Sequence, residues 1–348
     1  MAQLIESVPP PIPEAATTAA VRQKTLTKPP GSLGRLEELA IRLAGMTGEL
    51  VPDLAVKRVF VLAADHGVTD QAVSPYPSSV TGLMVANFAR GGAAINVLAR
   101  HGGAEIVVAD VGVGTDLGDL DGVVDAKVAR GTADMTHEPA MTEEQLWEAV
   151  RAGVALVRVE KDLGLAATGE MGIGNTTAAT AIACALLDRE PEEMTGPGAG
   201  LPEEGVRHKS AVVTAALLVN RPDHGDPWEV LAKLGGLEIA GLVGVILACA
   251  ARRVPCVIDG FISTAAALVA ARACPPCTEY MMAGHRSAEP AHGIMLEALQ
   301  LEPVLDLGMR LGEGTGAMLA MHVIEAAAKV LGEMATFAEA GIDTPPEE

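Results

Sequence analysis

Two glutamates sit inside glycine-rich stretches, a combination that could serve phosphate and proton chemistry at once. Residues 169–177 read GEMGIGNTT and residues 310–318 read RLGEGTGAM, with Glu170 in the first and Glu313 in the second. In the first stretch Gly172, Gly174, Asn175 and Thr176 follow the apolar run Leu163 to Ala167 and precede a helix-forming segment. Glycines there let the backbone approach a ligand closely, and the helix mouth adds roughly half a positive charge, so the turn can cradle a phosphate or ribose. Gly314, Thr315 and Gly316 repeat the device at a second helix mouth. Neither stretch is a standard nucleotide motif: no Gly-Lys-Ser/Thr closes a P-loop, and Thr177 stands where a dinucleotide fingerprint has its third glycine. An acid beside an anion site repels phosphate unless it faces another part of the ligand, where it can take a proton or stabilise a cationic sugar. The competing reading is that each glutamate only complements a helix N-terminus, worth about 0.3–1 kcal/mol.

Other clusters carry weaker signals. Asp65-His66 and the group His285, Glu289 and His292 have metal-ligand residue types. Adjacent residues at a strand end point apart, however, and Pro290 breaks helical register in the second group, so no metal and no cofactor are expected. Ser287 lacks the G-x-S-x-G elbow of an acyl nucleophile and reads as a hydroxyl donor to phosphate or ribose. Cys274-Pro-Pro-Cys277 reads as a proline-stiffened turn rather than a redox or zinc motif.

These residues need elements to hold them. The chain has 348 residues, 49% of them hydrophobic but only 2% aromatic, which suits a core of Ala, Val, Leu, Ile and Met in helices packed on a parallel sheet. Strand-like runs (RVFVLAADHGV, AEIVVADVGVG, VPCVIDGF, EYMMAGH) alternate with helical ones. One of these, opening on the capping box Thr142-x-x-Gln145, is expected to run helical to Gly164, and another spans 81 to 98 with a break at Gly91-Gly92. The alternation predicts an α/β fold with right-handed crossovers and a mostly parallel sheet. Ligands in such sheets bind beyond the carboxyl ends of the strands, where Asp65, His66, Asp110, Glu170, Asp259, His285 and Glu313 all fall. The formal net charge of −20 argues against nucleic acid and anionic membrane surfaces as partners, and makes any anionic ligand depend on local donors. The N-terminus has neither the basic nor the apolar region of a signal peptide, and Ile239 to Ala251 is short for a bilayer, so a cytoplasmic protein is expected.

Six stretches standing in this order, KPPGSLGRLE, ADHGV, FARGGAAINVLAR, GEMGIGNTT, LDLGMRLGEGTGAMLA and MATFAEAG, resemble the nicotinate-nucleotide–dimethylbenzimidazole phosphoribosyltransferase family from about Lys28 to Gly341. The resemblance implies a Rossmann-like large domain over about 50–322, a small helical domain from 1–49 and 323–348, a homodimer, and no metal requirement. It implies transfer of 5-phosphoribose from nicotinate mononucleotide to 5,6-dimethylbenzimidazole, giving α-ribazole 5'-phosphate and nicotinate for the lower ligand of cobalamin. By the same resemblance Glu313 is the general base and Glu170 assists. Gly172, Lys209 and Ser287 hold the nucleotide, and Tyr76, Pro77, Met84 and Leu311 wall the base pocket. One departure stands out: the family pattern G-R-G-T-G is here Gly196-Pro197-Gly198-Ala199-Gly200, without the arginine and the hydroxyl. Two other classes compete. A nucleotide-dependent dehydrogenase is disfavoured by the missing ribose-binding acid after the glycine loop, and a non-catalytic sensor would bind the nucleotide but release no nicotinate.

Overall fold

A computed structural model describes residues 2–118 and 120–343. Six strands form one sheet in the order β3-β2-β1-β4-β5-β6: β1 Lys57–Ala64, β2 Glu105–Gly112, β3 Val123–Asp125, β4 Leu165–Met171, β5 Cys256–Ile258 and β6 Met281–Ala283. Every neighbouring pair is parallel. The alternating strands and helices of the sequence thus give the expected α/β architecture, with β1 and β4 buried on both faces as parallel strands require. Strand order reverses on either side of β1, so a crevice opens above the carboxyl ends of β1 and β4, the switch point where ligands enter such sheets.

Helices cover both faces. The apolar segment near 239 is the helix Leu237–Ala251, buried over its whole length apart from its last residue. It packs on the helix Glu143–Val159 through glycines: a Cβ on Gly244 would enter the backbone of Val150, and one on Gly153 that of Gly241. The Thr142–Gln145 capping box forms as the residues dictate. Its helix stops at Val159 instead of reaching Gly164, because Arg252 caps the carbonyls of Val157 and Lys161 (2.5 and 2.9 Å) and the Gly164 N–H is drawn to the carbonyl of Val56, just before β1. The break at Gly91-Gly92 separates the helices Val80–Ala89 and Ala94–Gly102.

The two chain ends pack together. Helix Pro13–Thr25, hidden in the sequence by its proline-rich surroundings, lies on Arg35–Thr47, and Arg22 donates to the carbonyls of Leu331 and Gly332 at 2.7 and 3.2 Å. Leu26 and Thr336 form an antiparallel bridge. Helix Thr315–Glu333 passes through position 322 unbroken, joining this terminal bundle to the turn that carries Glu313. No helix among the described residues is long and apolar enough to cross a membrane.

Candidate active site

A cavity of about 420 Å³ lies at the carboxyl ends of β4, β5 and β6. Glu170, the penultimate residue of β4, and Glu313 both border it, as do Gly172, Gly174, Asn175 and Thr176 of the first glycine turn. Apolar residues also line it, among them Val73, Tyr76, Val80, Met84 and Leu311.

The turn bearing Glu313 is held under strain. Gly312, Glu313 and Gly314 have φ of 85°, 63° and 85°, three successive left-handed residues, and for the glutamate this costs about 1–2 kcal/mol. Two contacts fix it. Asp259 accepts the N–H groups of Gly314 (3.3 Å) and Ala317 (2.8 Å), while a Cβ on Gly169 of β4 would stand 2.7 Å from the Glu313 carbonyl oxygen, so the turn lies directly on the strand. Gly312 in turn rests against the Glu170 carboxylate, which brings the two acids to one floor. Glu313 Oε2 is buried without a partner. Burial pushes the Glu313 carboxyl above its ordinary range, with Asp259 adding to the shift and a bond from the Ile95 backbone opposing it. Glu170 is pushed up to about 8, first by burial and then by the charges of Glu238, Asp259 and Glu313, against a hydrogen bond from the Asn175 side chain.

The second glycine turn does not repeat the first. Gly314, Thr315 and Gly316 do not line the cavity: Asp259 consumes N–H groups at this helix mouth, Thr315 donates its hydroxyl to the Gly312 carbonyl (2.8 Å), and Gly316 backs onto the His285 ring. They position Glu313 instead of receiving an anion. Pro77 also stands off the cavity. It is exposed, and its carbonyl accepts the Val80 N–H (3.1 Å) to start a helix whose Val80 and Met84 do face inward.

Lys209 is wholly buried behind the first turn, its ammonium donating to Thr176 Oγ1 (2.7 Å) and to the Gly196 carbonyl (3.4 Å). Burial pulls it down to about 8, and Glu289 opposes that shift. Lys209 therefore reaches the cavity through Thr176, not directly. Ser287 lines the cavity; its N–H donates to His292 Nδ1 (2.8 Å), and His292 Nε2 meets Thr264 Oγ1 at 2.9 Å. Burial lowers His292 to about 3, so it is neutral and serves as a bracket for the Ser287 loop. Among the described residues no three His, Cys, Asp or Glu side chains converge to hold a metal ion.

Sequence reasoning missed Arg310, Glu289, Phe261 and Ile262 as cavity residues. Arg310 donates to the Gly198 carbonyl (2.8 Å) and Glu289 accepts the Gly198 N–H (3.0 Å), so both clamp the loop that departs from the family pattern. The signal for Arg310 was its place two residues before Gly312. Glu289 is 91 residues from Gly198, and no local pattern links them.

A doubly wound sheet with a glycine turn, two buried carboxylates and apolar side chains around one cavity at its strand ends defines an α/β protein with a small-molecule site. Residues 8–342 match the family model described as Phosphoribosyltransferase. Named nicotinate-nucleotide–dimethylbenzimidazole phosphoribosyltransferase, a relative from Chloroflexus aurantiacus is 57% identical over 94% of each chain, and one from Geobacter metallireducens is 53% identical over 93% of each. The crystal structure of CobT from Thermus thermophilus superposes with a TM-score of 0.92 at 47% identity, covering 96% of this chain and all of that one. The chain belongs to the nicotinate-nucleotide–dimethylbenzimidazole phosphoribosyltransferase family.

Proposed function

We propose that the protein transfers 5-phosphoribose from nicotinate mononucleotide to 5,6-dimethylbenzimidazole, releasing nicotinate and α-ribazole 5'-phosphate. The observation that carries this reading is a single cavity lined by two buried carboxylates, by the apolar residues Val73, Tyr76, Val80, Met84 and Leu311, and by the Gly172–Thr176 turn. A flat base fits the apolar residues and a phosphoribosyl group the turn. The attacking ring nitrogen displaces nicotinate at C1', so a β-configured donor gives an α-riboside by inversion. As that bond forms, the base must lose the proton on its other ring nitrogen, and the Glu313 carboxylate, with an oxygen free of protein partners, is suited to accept it. Glu170 attends the positive charge that develops on the sugar. Phosphate recognition rests on the turn, Ser287 and Lys209 acting through Thr176, since an acidic protein supplies no general attraction for an anion.

A homodimer and a cytoplasmic location belong to the same reading, as does a division into a large sheet domain over about 50–322 and a small helical one from both ends. The test is direct: purified protein, nicotinate mononucleotide and dimethylbenzimidazole are mixed with a chelator in excess, and α-ribazole phosphate and nicotinate are quantified. Equal amounts of both products are expected, at the rate seen without chelator. Nucleotide binding with no nicotinate released would replace this reading with a sensor, and activity restored by one divalent ion would overturn its metal independence.

Lys209→Ala is expected to raise the KM for nicotinate mononucleotide roughly 10-fold or more, the worth of a buried charge-assisted hydrogen bond, and to leave the KM for the base unchanged. Initial rates with each substrate varied in turn decide it. A parallel rise for both substrates would mark Lys209 as merely structural.

A further inference from the structure

Beneath the first glycine turn lies a buried pair that the reaction as described does not use. His66 follows β1, Glu238 occupies the first turn of helix Leu237–Ala251, and His66 Nε2 meets Glu238 Oε1 at 2.7 Å with both side chains out of solvent. Glycines surround the pair. A Cβ on Gly172 would lie 3.1 Å from Glu238 Oε1 and 3.2 Å from His66 Nε2, so the backbone of the turn rests on the two polar tips. A Cβ on Gly236 would strike the His66 ring and stand 2.6 Å from Glu238 Oε2. Gly174, with φ of 94°, sits over the His66 Cβ at 3.5 Å and the Thr69 methyl at 2.8 Å by the same measure. A buried carboxylate with one oxygen unpartnered is a poor device for stability, since apolar side chains of equal volume would serve folding as well or better. What a short, directional bond provides instead is a fixed distance between the end of β1 and the helix, and therefore a fixed height for the Gly172 backbone that rests on both.

We propose that His66 and Glu238 are a positioning pair that sets the Gly172–Gly174 turn at the height needed to hold the phosphoribosyl group. This rests on the function proposed above and deepens it. The pair touches neither substrate and takes no proton from either. Its contacts are with the turn, and the Glu238 charge also reaches Glu170, so it governs the nucleotide side of the site and not the base.

The test uses the full chain with nicotinate mononucleotide as the probe, by titration calorimetry and by initial rates. Glu238→Leu is expected to weaken nucleotide binding roughly 10-fold or more, with the KM for dimethylbenzimidazole changed less than about threefold. Glu238→Gln, whose amide oxygen can still accept from the imidazole, should restore most of the affinity. His66→Asn, polar but too short to reach Glu238, carries the same expectation as Glu238→Leu and serves if the leucine variant does not fold. Lowered thermal stability with unchanged nucleotide affinity would overturn the proposal, as would equal losses for both substrates or no rescue by glutamine. Wild-type protein that fails to bind the nucleotide would instead remove the proposed function, so the two failures are distinct.

Discussion

Replacing Glu313 by glutamine is expected to lower turnover roughly 10²–10⁴-fold, the usual contribution of a general base, while both substrates still bind. The substitution keeps the volume and most of the hydrogen bonding of the side chain and removes its capacity to take a proton from the attacking base. It also leaves untouched the turn that aims the side chain, since Gly312, Gly314 and the Asp259 clamp are unaltered. A glutamate kept in a left-handed conformation, between two glycines and against Gly169, is strained for a reason other than folding, because glycine or asparagine would occupy that φ at lower cost. Single-turnover rates and nucleotide affinity measured side by side test the expectation. Wild-type turnover across pH 6 to 9 in a folded variant would reduce Glu313 to a helix-terminal acid and move the search for the base to Glu170.

What could be read from the sequence is what is local in it. The strand ends carrying Asp65, Glu170, Asp259 and His285 were legible because apolar runs stop where polar residues begin, and a parallel sheet places all such stops on one side. The first glycine turn was legible for the same reason: Gly172 to Thr176 are neighbours in the chain and neighbours on the cavity wall. The second turn misled because its composition says nothing of Asp259, 55 residues away from Gly314, which takes the N–H groups an anion would need. Lys209 was found by resemblance, but its burial behind Thr176 depends on the packing of helix Glu203–Asn220, which no motif records. Pro77 illustrates the reverse error. It follows Tyr76, which lines the cavity, yet it starts a helix at the surface, and only the helical phase of Val80 and Met84 brings that segment inward.

Raising the pH from 5 to 9 is expected to destabilise the ligand-free protein through Glu170, and Glu170→Gln should remove that loss. Burial holds this carboxyl up at about 8, against 4.5 for an ordinary glutamate, helped by the negative charges of Glu238, Asp259 and Glu313 and opposed by the Asn175 side chain. The unfolded chain releases the proton near the ordinary value, whereas the folded chain keeps it until about pH 8. Stability from this group is therefore fully present below the unfolded pKa and is lost as pH rises through the folded one. At 1.36 kcal/mol per pKa unit, a shift of that size makes the loss of order a few kcal/mol. A neutral glutamine binds no proton in either state and should show no such slope. The same linkage makes the empty site poised for its ligand: the pyridinium nitrogen of bound nicotinate mononucleotide is cationic, and beside Glu170 it favours the ionised carboxylate, so nucleotide binding near neutral pH should expel a proton. Urea midpoints at pH 5, 7 and 9 for both proteins measure the first effect, and calorimetric titration with nicotinate mononucleotide in two buffers of different ionisation enthalpy measures the second. Identical pH slopes for wild type and Glu170→Gln, with no buffer dependence of the binding heat, would mean that Glu170 is already ionised in the empty site and that its carboxylate attends the sugar without any change of protonation.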